Sequence, residues 1–131
     1  MPARRHRPPS DVVVVSENPE TIDGLETYLG GAGIVTRAAR TLRAMASAPR
    51  AGLAAVVFPD GFEVGAAASA IASLRASQPR LLIVVVSSAP QRYREALAPD
   101  GRSLPPVVLP KPAFGWTILD AVRAHARAEA P

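Results

Sequence analysis

Five polar side chains stand at the ends of apolar runs, where they could share one piece of chemistry. Glu17 follows Asp11-Val-Val-Val-Val-Ser16, and Asp60 follows Leu53-Ala-Ala-Val-Val-Phe58 and Pro59. Ser87 and Ser88 follow Leu81-Leu-Ile-Val-Val-Val86, and Lys111 sits between Pro110 and Pro112 after Pro106-Val-Val-Leu109. Carboxylates, hydroxyls and an ammonium on one edge suit an oxygen-ligated Mg2+ beside a phosphoryl group. Of the 15 Lys and Arg residues only Lys111 is a lysine, which sets it apart in a chain that otherwise uses arginine. The chain has no cysteine, which excludes disulfides, thiolate nucleophiles and Cys-ligated metals.

Convergence of these residues requires elements that carry them to a common edge. The Asp11 to Ser16 run is a continuous β-branched stretch, the pattern of a strand buried on both faces. Asn18-Pro19-Glu20 reads as a helix start, Ile22, Leu25 and Leu29 recur at helical spacing, and Gly30-Gly31 stops the helix. A weaker strand is expected over Gly33 to Arg37 and a short helix over Arg40 to Ser47. Leu53 to Phe58 is the third strand, with Pro59-Asp60-Gly61 as the turn that ends it, and Glu63 to Ser77 is an Ala-rich helix. Leu81 to Val86 is the fourth strand, a helix follows Pro90 to about Leu97, Pro106 to Leu109 is the fifth strand, and Phe114 to Ala128 is the closing helix. Five βα units with short connections predict a doubly wound, flavodoxin-like (βα)5 fold: three α/β/α layers and a parallel sheet of order 2-1-3-4-5. In such sheets sites form where the strands' carboxyl ends meet the loops, the edge at which the five polar residues lie.

An apolar strand followed by acid, a third-strand Asp, a fourth-strand hydroxyl followed by a small residue, and Lys-Pro after strand five resemble the response-regulator receiver (CheY-like) family. The likeness covers residues 11 to 128 and is best over Val107-Val-Leu-Pro-Lys-Pro112. It implies a two-component signalling module in which Asp60 is the candidate phosphoacceptor, Glu17 and Asp60 hold Mg2+ weakly, Lys111 binds phosphoryl oxygens and Ser87 or Ser88 serves as the switch hydroxyl. It also implies a protein partner, such as a histidine kinase or output domain, and no enzymatic activity beyond weak autophosphorylation. The sequence departs from the family at three places. Ser16 replaces the first acid of the pair, Pro59 occupies the acceptor position with Asp60 one residue late, and Leu109 stands where an aromatic or Thr is common. One residue along a strand turns a side chain to the other face, so a degenerate phosphorylation site is expected, with function carried by protein contacts. An active phosphoreceiver using Asp60 is the alternative, and Ser88 has a second reading as the N-cap of the helix begun by Pro90.

Apolar residues make up 48% of 131 residues, which suits one domain, 11–131, behind a basic tail, 1–10, expected to be disordered. Arg4, Arg5 and Arg7 lie in that tail and account for much of the net charge of +4. A polyanion contact through the tail is a third reading, but no aromatic accompanies the arginines to stack on bases, so nucleic acid is not expected. No apolar run spans a bilayer and no signal-peptide stretch follows the tail, which fits a cytoplasmic protein. On the closing helix, Phe114, Ile118, Leu119 and Val122 form the apolar stripe, while Trp116, Asp120, Arg123 and Arg127 form another, a candidate interaction or homodimer face. His125 is expected at the helix C-terminal dipole. Gly30-Gly-Ala-Gly33 lies after a helix rather than before one, so it is a helix stop and not a dinucleotide loop.

Overall fold

The computed structural model describes residues 11–47 and 52–129. Five strands, β1 (Asp11–Val15), β2 (Val35–Ala39), β3 (Ala54–Val57), β4 (Leu82–Ser87) and β5 (Val107–Pro110), form one parallel sheet of order β2-β1-β3-β4-β5. Between them run α1 (Pro19–Gly31), α2 (Leu42–Ala46), α3 (Val64–Ser77) and α4 (Pro90–Ala96), and α5 (Gly115–Glu129) closes the chain. The expected architecture and strand order are those observed.

Strand alternation divides the interior into two cores. Val12, Val14, Val56, Val84 and Val86 face Ile22, Leu25 and Leu29 of α1 and Ile118, Leu119 and Val122 of α5. Val13, Val15, Val57, Ile83 and Val85 face Met45 of α2, Ala67, Ile71 and Leu74 of α3, and Tyr93 of α4. Because both faces are covered, the central strands are apolar throughout. Asn18 caps α1 through its side chain, which accepts from Glu20 N–H at 2.9 Å, and Pro19 opens the helix as its spacing predicts.

Besides shifts of one or two residues at other element ends, three readings differ from expectation. The second strand begins at Val35 rather than Gly33, because the α1 stop extends further. Gly33, at φ 85°, donates to Gly30 O, and Ile34 N–H donates to Leu29 O, so both residues belong to the terminating turn. Phe114 precedes α5 instead of opening it, and is 59% exposed rather than part of the apolar stripe. His125 is buried on the core face of α5, a full turn before the helix ends at Glu129, and so is not a C-terminal dipole partner. The tail, residues 1–10, lies outside the described residues. Among those described, no helix is long and apolar enough to cross a membrane.

Candidate functional site

The carboxyl ends of β1, β3, β4 and β5 open into a cleft of about 450 Å3, lined by Ser16, Glu17, Asn18, Thr21, Phe58, Asp60, Gly61, Val86 and Lys111 to Ala113. Asp60 is one of its walls. The expectation that a one-residue offset turns Asp60 away from this edge is not met, because β3 stops at Val57 and alternation stops with it. A single 3-10 turn, Pro59–Gly61, follows with Pro59 buried. It carries the Asp60 side chain across to β4 and β5.

The register of the sheet supplies its partners. Ser87 pairs with Pro110, and Lys111 N–H donates to Ser87 O at 3.2 Å, so the β5 end and the β4 end are tied together. Ser87 Oγ donates to Asp60 Oδ1 at 2.6 Å and accepts from Ala89 N–H at 3.0 Å. Ser88 donates to Asp60 Oδ2 through both its backbone N–H, at 2.8 Å, and its hydroxyl, at 2.9 Å. Lys111 Nζ lies 3.1 Å from the same oxygen. Burial works to raise the Asp60 pKa, but the bonds from Ser87, Ser88 and Lys111 together outweigh it and bring it down to about 2. Ser88 is therefore not the N-cap of α4. That position belongs to Ala89, which makes no side-chain cap, while the Ser88 hydroxyl is committed to Asp60.

Ser16 and Glu17 sit on the opposite wall. Ser16 is buried and its hydroxyl accepts from Asn18 N–H at 3.0 Å, so the residue replacing the family's first acid shapes the loop. The exposed Glu17 side chain lies over Gly61, where any Cβ would fall within 2.0 Å of Glu17 Cγ. Gly61 thus makes room for Glu17, a role the sequence hid inside an ordinary Pro-Asp-Gly turn.

These donors make a poor cation site. A hard divalent ion requires several oxygen ligands. Glu17 supplies one, whereas Asp60 Oδ2 already takes three donors and Oδ1 takes one. Among the described residues no three His, Cys, Asp or Glu side chains cluster. The set does not fit a resident Mg2+, so the weak site expected from Glu17 and Asp60 lacks a built coordination sphere.

Beyond the cleft, Trp116 is 57% exposed and stacks on Phe114 with ring centroids 5.9 Å apart and planes at 8°. Asp120, Arg123 and Arg127 are exposed on the same helix. Next to this pair is Tyr28 of α1, whose ring approaches Gly115 so closely that a Cβ there would meet it at 2.9 Å. Tyr28 escaped notice in the sequence because only the buried positions of α1 have a readable period.

No family model matches the chain, and no curated protein matches it by sequence. Solved structures do. A response regulator receiver protein from Sinorhizobium medicae aligns with TM-score 0.76 and 17% identity over 93% of this chain and 98% of its own. The adenylate cyclase from Rhodopirellula baltica aligns with TM-score 0.72 and 15% identity over 91% and 88%. A response regulator protein from Burkholderia pseudomallei with a phosphorylated aspartic acid, calcium ion and citrate aligns with TM-score 0.65 and 22% identity over 91% and 69%. The fold is that of response-regulator receiver domains.

Proposed function

We propose that the chain is a two-component-type signalling module that acts through protein contacts, with a site that does not accept a phosphoryl group. One observation carries this reading: Asp60 is paired directly with Lys111, Ser87 and Ser88. Those are the groups that would otherwise neutralise an incoming phosphoryl. With Lys111 offset by Asp60, Glu17 leaves the cleft net negative, and no built cation site compensates it. An anionic phosphodonor therefore meets repulsion where it needs positive charge. Contact with a kinase, an output domain or a second copy then falls to surface residues, and the stacked Phe114 and Trp116 on the α5 side supply the aromatic anchor that interfaces favour.

The convergence of Asp60 with Ser87 and Lys111 also favours a second reading, an active phosphoreceiver, and the Burkholderia pseudomallei relative does carry a phosphorylated aspartic acid. Intact mass after incubation with acetyl phosphate and Mg2+ separates the two. The expected result is an unchanged mass for both wild type and Asp60→Asn. A gain of one phosphoryl in wild type and none in Asp60→Asn makes Asp60 a working acceptor and overturns the first reading.

A further inference from the structure

Of the five large apolar side chains exposed among the described residues, three, Tyr28, Phe114 and Trp116, stand together. They adjoin a groove of about 350 Å3 between α1 and α5, lined by Gly24, Leu25 and Tyr28 of α1, Gly115 and Ile118 of α5, and Phe58. Its two glycines differ. At Gly115 a Cβ would meet the Tyr28 ring at 2.9 Å, so packing within the chain requires the glycine. At Gly24, exposed in the interior of α1, a Cβ would meet nothing within 4 Å. A glycine there weakens the helix relative to alanine, and no contact within the chain accounts for it. Its bare backbone suits an approach from outside.

Opposite charges flank the groove. Glu20 and Asp23 are exposed on α1, which has no Lys or Arg. Trp116, Arg123 and Arg127 share one exposed stripe of α5, and Asp120 on the same stripe leaves it net positive. Among the described residues, none of Glu20, Asp23, Arg123 and Arg127 has an ion-pair partner.

We propose that two copies of this chain pair about a two-fold axis across this face. The Phe114 and Trp116 stack of each copy sits in the α1–α5 groove of the other, and Glu20 and Asp23 of each oppose Arg123 and Arg127 of the other. A second copy fits because one chain carries the projecting rings and the recess, the acids and the bases, on one surface, so a two-fold rotation satisfies every element twice. Both helices start from the carboxyl edge of the sheet. An axis crossing them at the groove therefore sets the acidic first turns of α1 against the later, basic turns of the partner's α5. Gly24 lets the incoming ring reach the helix backbone. This pairing rests on the reading of a module that acts through protein contacts, and names its partner.

Sedimentation equilibrium of the full chain tests the pairing, with emission from Trp116, the chain's one tryptophan, as a second readout. Wild type should be a dimer with blue-shifted emission that moves to the red on dilution. A chain that stays monomeric when concentrated overturns the proposal and leaves the groove to a different protein. Gly24→Leu places a good helix former in open space. It should keep or raise the melting temperature of the dilute chain while weakening self-association about tenfold. Trp116→Ser should weaken it about thirtyfold, the loss expected of an aromatic anchor. A dimer indifferent to both changes overturns the proposal. Charge reversal then tests the arrangement: Glu20→Arg with Asp23→Arg in one chain, and Arg123→Glu with Arg127→Glu in another, should each abolish self-pairing. An equimolar mixture should restore a dimer, since each reversed helix meets its complement. Folded chains that stay monomeric when mixed overturn the proposal. The acetyl phosphate assay is a separate readout. Monomeric wild type of unchanged mass sinks the pairing alone, whereas phosphorylated wild type sinks the reading beneath it.

Discussion

Two carboxylates in this fold keep nearly the same company for different ends. Asp60 is held by two serines, a backbone N–H and Lys111. Asp100 accepts from the backbone N–H groups of Arg102 and Ser103, both at 2.9 Å, and from the Ser103 hydroxyl, and it lies 3.5 Å from Arg75. Each is brought down to about 2, Asp60 against the opposing effect of burial, Asp100 chiefly by the two backbone N–H groups. The difference is where the donors come from. Those of Asp100 lie two and three residues downstream, so the side chain organises its own loop. Buried Arg75 then fastens that loop to α3 through Ala98 O at 2.9 Å. Those of Asp60 come from the carboxyl ends of two other strands and meet only because the sheet register brings them there. Local donors make a turn, and donors assembled by tertiary structure make a site.

Substitutions on either side should separate the loop fastening from the site. The largest effect belongs to Arg75→Ala, which removes the buried end of the loop clamp and the packing of its stem. A loss of about 3 kcal/mol in urea unfolding is expected, with the Asp60 pKa unmoved. A shifted Asp60 resonance would show that the two regions are coupled. Next comes pH. Asp60 has its folded pKa lowered from 3.8 to about 2, so it contributes stability that is present above pH 3.8 and is lost as pH falls through about 2. The gap corresponds to less than about 2 kcal/mol once the partial exposure of the carboxylate to solvent is discounted. Unfolding curves from pH 5 to pH 2 should flatten in Asp60→Asn, and flatten less in Asp100→Asn, whose carboxylate is open to solvent. Equal flattening in both would erase the distinction drawn between them.

A smaller effect is expected for Lys111→Met, about 1 kcal/mol at neutral pH because its ammonium is partly solvated. It should also raise the Asp60 pKa toward 3.8, measurable from side-chain carboxyl shifts. The least effect on stability belongs to Trp116→Ser, within about 0.5 kcal/mol for an exposed position. If α5 is the contact face, the same change removes partner binding or self-association in sedimentation. Unchanged association would move the interface elsewhere.

Much of this was legible in the sequence. The unbroken apolar runs marked the central strands, and Asn18-Pro19 marked where α1 begins. Lys111 stood out as the single lysine, in a setting that placed it at the sheet edge. Asp60 was harder, because periodicity describes a strand only while the strand lasts. Nothing in Val57-Phe58-Pro59 states that pairing ends at Val57, and one unpaired residue reverses the conclusion about which way the next side chain faces. Ser88 has two readings in the sequence for a related reason: a hydroxyl just before a helix has a local use, and only the long-range partner shows that it has been taken. Arg75 gave no signal at all, since an arginine near the end of an amphipathic helix ordinarily faces water.

The two rims of the sheet bear on how copies of the domain could meet. On one side, β2 presents Arg37, paired with Asp11 at 3.1 Å, beside the exposed Arg40. On the other, β5 is four residues long, preceded by Pro105 and Pro106 and ended by Pro110, none of which has an amide hydrogen to offer. A charged rim and a proline-bracketed rim both discourage another strand from adding to the sheet. Growth by sheet extension, the route to fibrillar aggregates, is thereby disfavoured at both ends.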